Sequence, residues 1–169
     1  MKKVLFLVSI LLLSAVYSGG SPSVADLWER AEQGDKDVQF EFAVCYMNGR
    51  GVRRNLEEAA KWLIKSAEQG HIEAQFNLGV LYENGFGVGK NFVEAVKWYR
   101  KAAEKGNDGA QQNLANCYWD GRGTGKDTVK AAEWWQKAAE QGNAVAQVYL
   151  GICYEDGKGV SRNAVEAVK

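Results

Sequence analysis

Ala74-Gln75-Phe76-Asn77-Leu78-Gly79-Val80-Leu81-Tyr82-Glu83-Asn84-Gly85-Phe86-Gly87-Val88 reads as one helix closed by glycine, and its features return elsewhere at a fixed interval. Gln75 has counterparts at Gln39, Gln111 and Gln147, and Tyr82 has counterparts at Tyr46, Tyr118 and Tyr154. Gly85 belongs with Gly49, Gly121 and Gly157, and Gly87 with Gly51, Gly123 and Gly159. Farther out, Gly34, Gly70, Gly106 and Gly142 keep the same step, as do Ala59, Ala95, Ala131 and Ala167. Every series advances by 36 residues with no insertion, so the chain is a tandem array, and that decides its architecture.

Each unit reads as two helices. In the first unit one helix is expected from about Asp37 to Asn48, because Val38, Phe42, Cys45 and Tyr46 share a face at a 3.6-residue period. Gly49 supplies the left-handed residue that ends it. The second helix opens at Asn55 with Glu58 three residues on, a capping-box pattern repeated by Asn91 with Glu94 and Asn163 with Glu166. The third unit has Asp127 as cap and Lys130 where the Glu would be. Ala59, Trp62, Ser66 and Ala67 are expected to face inward, with Trp98 and Trp134 continuing the Trp column. Trp98→Ala is expected to cost ~3–5 kcal/mol.

The expected fold is an all-α solenoid, with helix pairs made antiparallel by short loops. Repeats are placed at residues 34–69, 70–105 and 106–141, with a partial fourth at 142–169 and a capping half-repeat at 21–33. Asn163 to Lys169 is too short to hold as an isolated helix. Either the full protein continues, which is the expected reading, or the chain has a frayed apolar C-terminal face on which another copy could stack.

Residues 1–20 read as a signal peptide. Met1-Lys2-Lys3 is a basic start, Val4 to Val16 is an apolar run, and the cut is expected between Ser18 and Ser21. That run is shorter than the ~20 residues needed to span a bilayer, so no membrane insertion is expected after cleavage. A periplasmic or secreted bacterial protein follows. The 21 basic and 21 acidic residues balance, which argues against nucleic acid as a partner.

Catalytic readings fail on spacing. Gly85 to Lys90 and Gly121 to Lys126 are rich in glycine, but neither fits G-x-x-x-x-G-K-[ST] and no apolar strand precedes them. His71, the single histidine, falls in an inter-repeat turn where Asp35, Asn107 and Asn143 stand in other units. No Ser-x-x-Lys occurs. Glu68, Glu104 and Glu140 recur beside Lys65, Lys101 and Lys137 as a solvated face. No catalytic residue, metal or cofactor is expected. Cys45, Cys117 and Cys153 share one first-helix column; packed helices lie ~8–10 Å apart, beyond the about 6.8 Å that a disulfide spans. They read as buried small apolar residues.

Columns that differ between units mark the candidate binding surface. On the first helix these are positions 37, 40, 41, 44 and 47 with their counterparts, one stripe opposite the core. In αα solenoids this face lines the inner groove. The candidate partner-binding residues are Phe40, Met47, Phe76, Asn77, Glu83, Gln112, Asn113, Asn116, Trp119 and Tyr149. For Phe40, Phe76, Val44 and Val80, packing between neighbouring units is the equal alternative. Trp119→Ala is expected to weaken a partner and leave the melting temperature nearly unchanged.

The stretch from Ala74 to Val88, continued by Asn91, Ala95, Trp98 and Lys101-Ala102-Ala103-Glu104-Lys105-Gly106, resembles the Sel-1-like repeat family over roughly Gly34 to Lys169. The resemblance implies a right-handed αα superhelix akin to tetratricopeptide arrays. It also implies an adaptor role in binding a protein or peptide, with no common catalytic residues. The Helicobacter cysteine-rich branch is similar in being exported and is credited with penicillin binding. It pairs a first-helix Cys with a second-helix Cys in each repeat, and no second-helix column here holds Cys. A β-lactam-binding or hydrolysing protein is thus one alternative, and a self-associating envelope protein another.

Overall fold

The computed structural model describes residues 24–168; the expected signal peptide at 1–20 lies outside the described residues. Among those described, eight α-helices follow one another and no strand occurs. They are α1 (Val24–Glu32), α2 (Lys36–Asn48), α3 (Leu56–Glu68), α4 (Ile72–Asn84), α5 (Phe92–Glu104), α6 (Asp108–Asp120), α7 (Thr128–Glu140) and α8 (Ala144–Asp156), then a 3-10 turn at Glu166–Val168. Each helix packs on the next one in the chain, so α1 to α8 form a continuous αα solenoid. Ala59, Ala95 and Ala131 are fully buried where helices approach, and Trp62 and Trp98 fill the space beside them. The apolar reading of the cysteines holds: Cys45, Cys117 and Cys153 are all buried. Burial first, then the nearby Glu83 charge, pushes the Cys117 thiol up to about 11.

Glycine ends every first helix. Gly49, Gly85, Gly121 and Gly157 are left-handed and donate their N–H to the carbonyls of Cys45, Leu81, Cys117 and Cys153. The second helices begin as expected, with Asn55 and Asn91 side chains accepting from the N–H groups two and three residues on. At Asn55 and Asn91 the reciprocal half of the capping box does not form. The cap N–H groups of Asn55 and Asn91 are already taken by the Tyr46 and Tyr82 carbonyls, at 3.0 and 2.8 Å. Glu58 and Glu94 pair instead with Lys61 and Lys97.

The glutamine column stitches units together. The amides of Gln39, Gln75 and Gln111 are buried and donate to the Ala31, Ala67 and Ala103 carbonyls of the preceding helix, at 3.0, 2.9 and 3.1 Å. In two units a second glutamine completes the pair: Gln69 donates to Gln39 Oε1 and Gln141 to Gln111 Oε1. At the corresponding place between them stands Lys105, which donates to the Gly70 carbonyl, and the buried Gln75 Oε1 has no partner. Lys105→Gln is therefore expected to stabilise the chain by about 1 kcal/mol, since a buried acceptor gains its hydrogen bond. Urea unfolding followed by circular dichroism measures it; a loss of stability would show that the lysine bond outweighs the orphaned oxygen.

Candidate functional site

The first-helix stripe is half-buried in the first three units at Phe40, Met47, Phe76, Asn77, Gln112, Asn113, Asn116 and Trp119 and exposed in the fourth at Val148, Tyr149 and Ile152, and its contacts differ from unit to unit. In the first unit Phe40 stacks on His71, ring centroids 4.5 Å apart. His71 caps α4: its Nδ1 accepts from the Ala74 N–H, and Nε2 lies 3.6 Å from Asp37 Oδ1. Its side chain is only 13% exposed, so the histidine belongs to the joint between two units and does not stand on the solvent side. Met47 packs half-buried on the core of the first two units.

In the second unit Phe76 lies 6.1 Å from the Tyr99 ring and leans on Gly109, where a Cβ would come within 3.3 Å of the ring. Asn77 donates to the Glu73 carbonyl behind it. Glu83 is held from two sides. It accepts from the Tyr99 hydroxyl at 2.6 Å and from Arg122, of the next unit, at 2.7 Å. Arg122 also lies 3.0 Å from Asp120 Oδ2, with its guanidinium 5.5 Å from the Phe92 ring. Burial, then the bond to Glu83, raises the Tyr99 hydroxyl far above its ordinary range, so it acts as a hydrogen-bond donor.

The third and fourth units meet at Trp135, which is 1% exposed. Tyr149 stacks on it at 4.8 Å and 9°, and Trp119 leans on it at 5.3 Å and 52°. Asn116 accepts from the Trp135 Nε1–H at 3.1 Å. Gln112 and Asn113 sit half-buried on the same helix. The structure thus gathers Asn116, Trp119 and Tyr149 around one buried ring, while Phe40 and Met47 stand apart from them in the first unit. Trp119 is joined to the core, so Trp119→Ala carries a folding cost that the expectation of an unchanged melting temperature left out. The Trp column of the sequence runs through Trp134, one residue short of Trp135. Trp135 belongs to a column of large side chains, Leu63, Tyr99 and Trp135, buried in each of the first three units, and that column is the signal in the sequence.

Among the described residues no group of three His, Cys, Asp or Glu is placed to hold a metal ion. No helix among them is long and apolar enough to cross a membrane.

A ladder of antiparallel helix pairs with a half-buried first-helix face defines a helical repeat scaffold. The Sel1 repeat model matches at residues 37–71, 72–107, 109–143 and 144–169, and the chain belongs to the Sel1 repeat family. It is similar to a protective antigen present in uropathogenic Escherichia coli strains, displaying an SLR fold, with 38% identity and a TM-score of 0.83 over 87% of this chain and 32% of that one. A Sel1 repeat protein from Oxalobacter formigenes is 36% identical, with a TM-score of 0.79 over 86% of this chain and 58% of its own. Helicobacter pylori cysteine rich protein B is 25% identical, with a TM-score of 0.58 over 76% of this chain and 97% of its own. The chain therefore spans about a third of the Escherichia coli protein and somewhat over half of the Oxalobacter one. A search of the curated proteins finds no match.

Proposed function

We propose that this chain is an exported scaffold that binds a protein or peptide along the first-helix face of its repeats. The observation that carries the reading is the platform around Trp135. Tyr149 is 39% exposed, yet its ring is held by stacking, and Trp119 and Asn116 are fixed beside it. Aromatic rings that are ordered before a partner arrives lose little freedom on binding, and such rings concentrate interface energy. Asn77, Gln112 and Asn113 add amide groups along the same face. Sel1 repeats commonly serve as protein-interaction modules, and the reading of residues 1–20 supports export.

The test is capture from the organism's envelope and secreted fractions with residues 21–169 as bait, beside a Gln112→Ala, Tyr149→Ala variant of matched melting temperature. A protein held by the first bait and lost by the second is the expected result. Equal capture by both, or none, would remove this face from the function. A second reading, self-association through the last unit, is favoured by Val145, Val148 and Ile152 on α8, which are 48%, 63% and 41% exposed. A mass that rises with concentration in sedimentation would support it.

A further inference from the structure

The intra-unit loops and the first turns of the second helices make a separate edge of the solenoid. Gly87, Gly123 and Gly159 each abut the backbone of the preceding second-helix start, at Leu56, Phe92 and Thr128, so successive loops nest into one continuous row. Along this row an exposed valine recurs in the second, third and fourth units: Val93, Val129 and Val165, at 63%, 53% and 66% exposure. Phe86, in the loop that nests on Leu56 and Glu57, is 50% exposed. The first unit has Glu57 at the valine position, the residue type that the opening turn of a helix favours. Valine there is a poorer helix former and gains no burial, so local stability does not account for it.

The same edge carries an exposed cation in every unit, at Arg54, Lys90, Lys126 and Arg162. In the second to fourth units nearby carboxylates are occupied: Glu94 pairs with Lys97, Asp127 with Lys130, Asp120 with Arg122 and Asp156 with Lys158, while Glu57 of the first unit stands near Arg54 in the chain. Arg54 donates to the Met47 carbonyl and Lys90 lies 5.0 Å from the Phe92 ring, while Lys126 makes no ion pair among the described residues. In the second to fourth units exposed valines alternate with cations that make no ion pair among the described residues, and the match for both is an acidic strand with apolar side chains.

We infer that this loop edge is a second binding surface, distinct from the first-helix face, for an extended acidic peptide segment bearing apolar residues. The probe is a labelled synthetic peptide alternating Glu and Leu, titrated into the mature chain by fluorescence anisotropy. Its Lys–Leu and Glu–Ser counterparts are run beside it. Binding of the Glu–Leu peptide is expected, and Val93→Glu with Val129→Glu should weaken it about tenfold or more, as should Lys90→Glu with Lys126→Glu. The valine variants should fold, because the side chains are exposed and glutamate already occupies this position in the first unit; an unchanged melting curve checks that. No binding to the unaltered chain, undiminished binding to both variant pairs, or equal binding of the Lys–Leu or Glu–Ser peptide would overturn the assignment. So would loss of binding from Gln112→Ala on the first-helix face with no loss from the edge variants.

Discussion

Gly123→Ala is expected to destabilise the chain by about 4 kcal/mol or more, enough to disconnect the third unit from the second. Two costs act at once. Gly123 has φ of +69°, where an L side chain is strained by about 1–2 kcal/mol. A Cβ there would also land on the carbonyl oxygen of Phe92 and 2.9 Å from the Phe92 Cβ. Backbone cannot step aside as a long side chain can, so the loop must lift off the start of α5. Gly121→Ala is the matched control. Its φ is +75°, but its Cβ would meet only Lys126, at 3.3 Å or beyond. It carries the conformational strain without the collision and should cost about 1–2 kcal/mol. Urea unfolding of both variants separates the effects; equal losses would show that the close approach to Phe92 does not hold the units together.

The contrast between these glycines also marks where the sequence stops being legible. Period, helix pairs, left-handed helix ends and Asn caps follow from residues near one another in the chain, and the structure has them. Gly121 and Gly123 look alike in the sequence, because what differs is the neighbour across a unit boundary. The glutamine column was visible as a column, but its role lies in carbonyls of the preceding helix. The capping box failed for the same reason: the Tyr46 carbonyl, nine residues earlier, had taken the donor that Glu58 would reach.

The candidate site shows this most clearly. In the sequence, differences between units look like freedom to suit a partner, yet several are paired adjustments inside the fold. Where the second helix has Tyr99, the first helix has Glu83 to accept its hydroxyl and Gly79 to make room, since a Cβ at Gly79 would collide with the Tyr99 ring. Where it has Trp135, the first helix has Asn116 for the indole N–H and Trp119 against the ring. Variation in a repeat therefore has two sources, and only three-dimensional contacts separate them. Gln112 donates to its neighbour Asn113 at 3.5 Å and Tyr149 is the exposed member of the Trp135 stack, which is why they carry the binding test.

Trp135→Ala should cost ~3–5 kcal/mol, because a fully buried indole is lost and the space cannot close around three partners. Its ring supports Tyr149 and Trp119, and its Nε1–H serves Asn116. The adjacent Trp134 is half-exposed, with Lys137 4.1 Å above its ring, so Trp134→Ala should cost about 1 kcal/mol. Trp135→Phe falls between: it keeps an aromatic ring for Tyr149 but leaves Asn116 Oδ1 without its donor, for about 1–2 kcal/mol. Thermal melts rank the three, and near-ultraviolet circular dichroism reports whether the aromatic stack survives in each. The ranking bears on function as well as stability. A partner-binding face built on Tyr149 and Trp119 depends on Trp135 keeping them ordered, so Trp135→Phe should retain both the stack and the partner. If Trp135→Ala proves no worse than Trp134→Ala, the platform is not held from the core. The argument that its rings are ordered in advance of binding then fails with it.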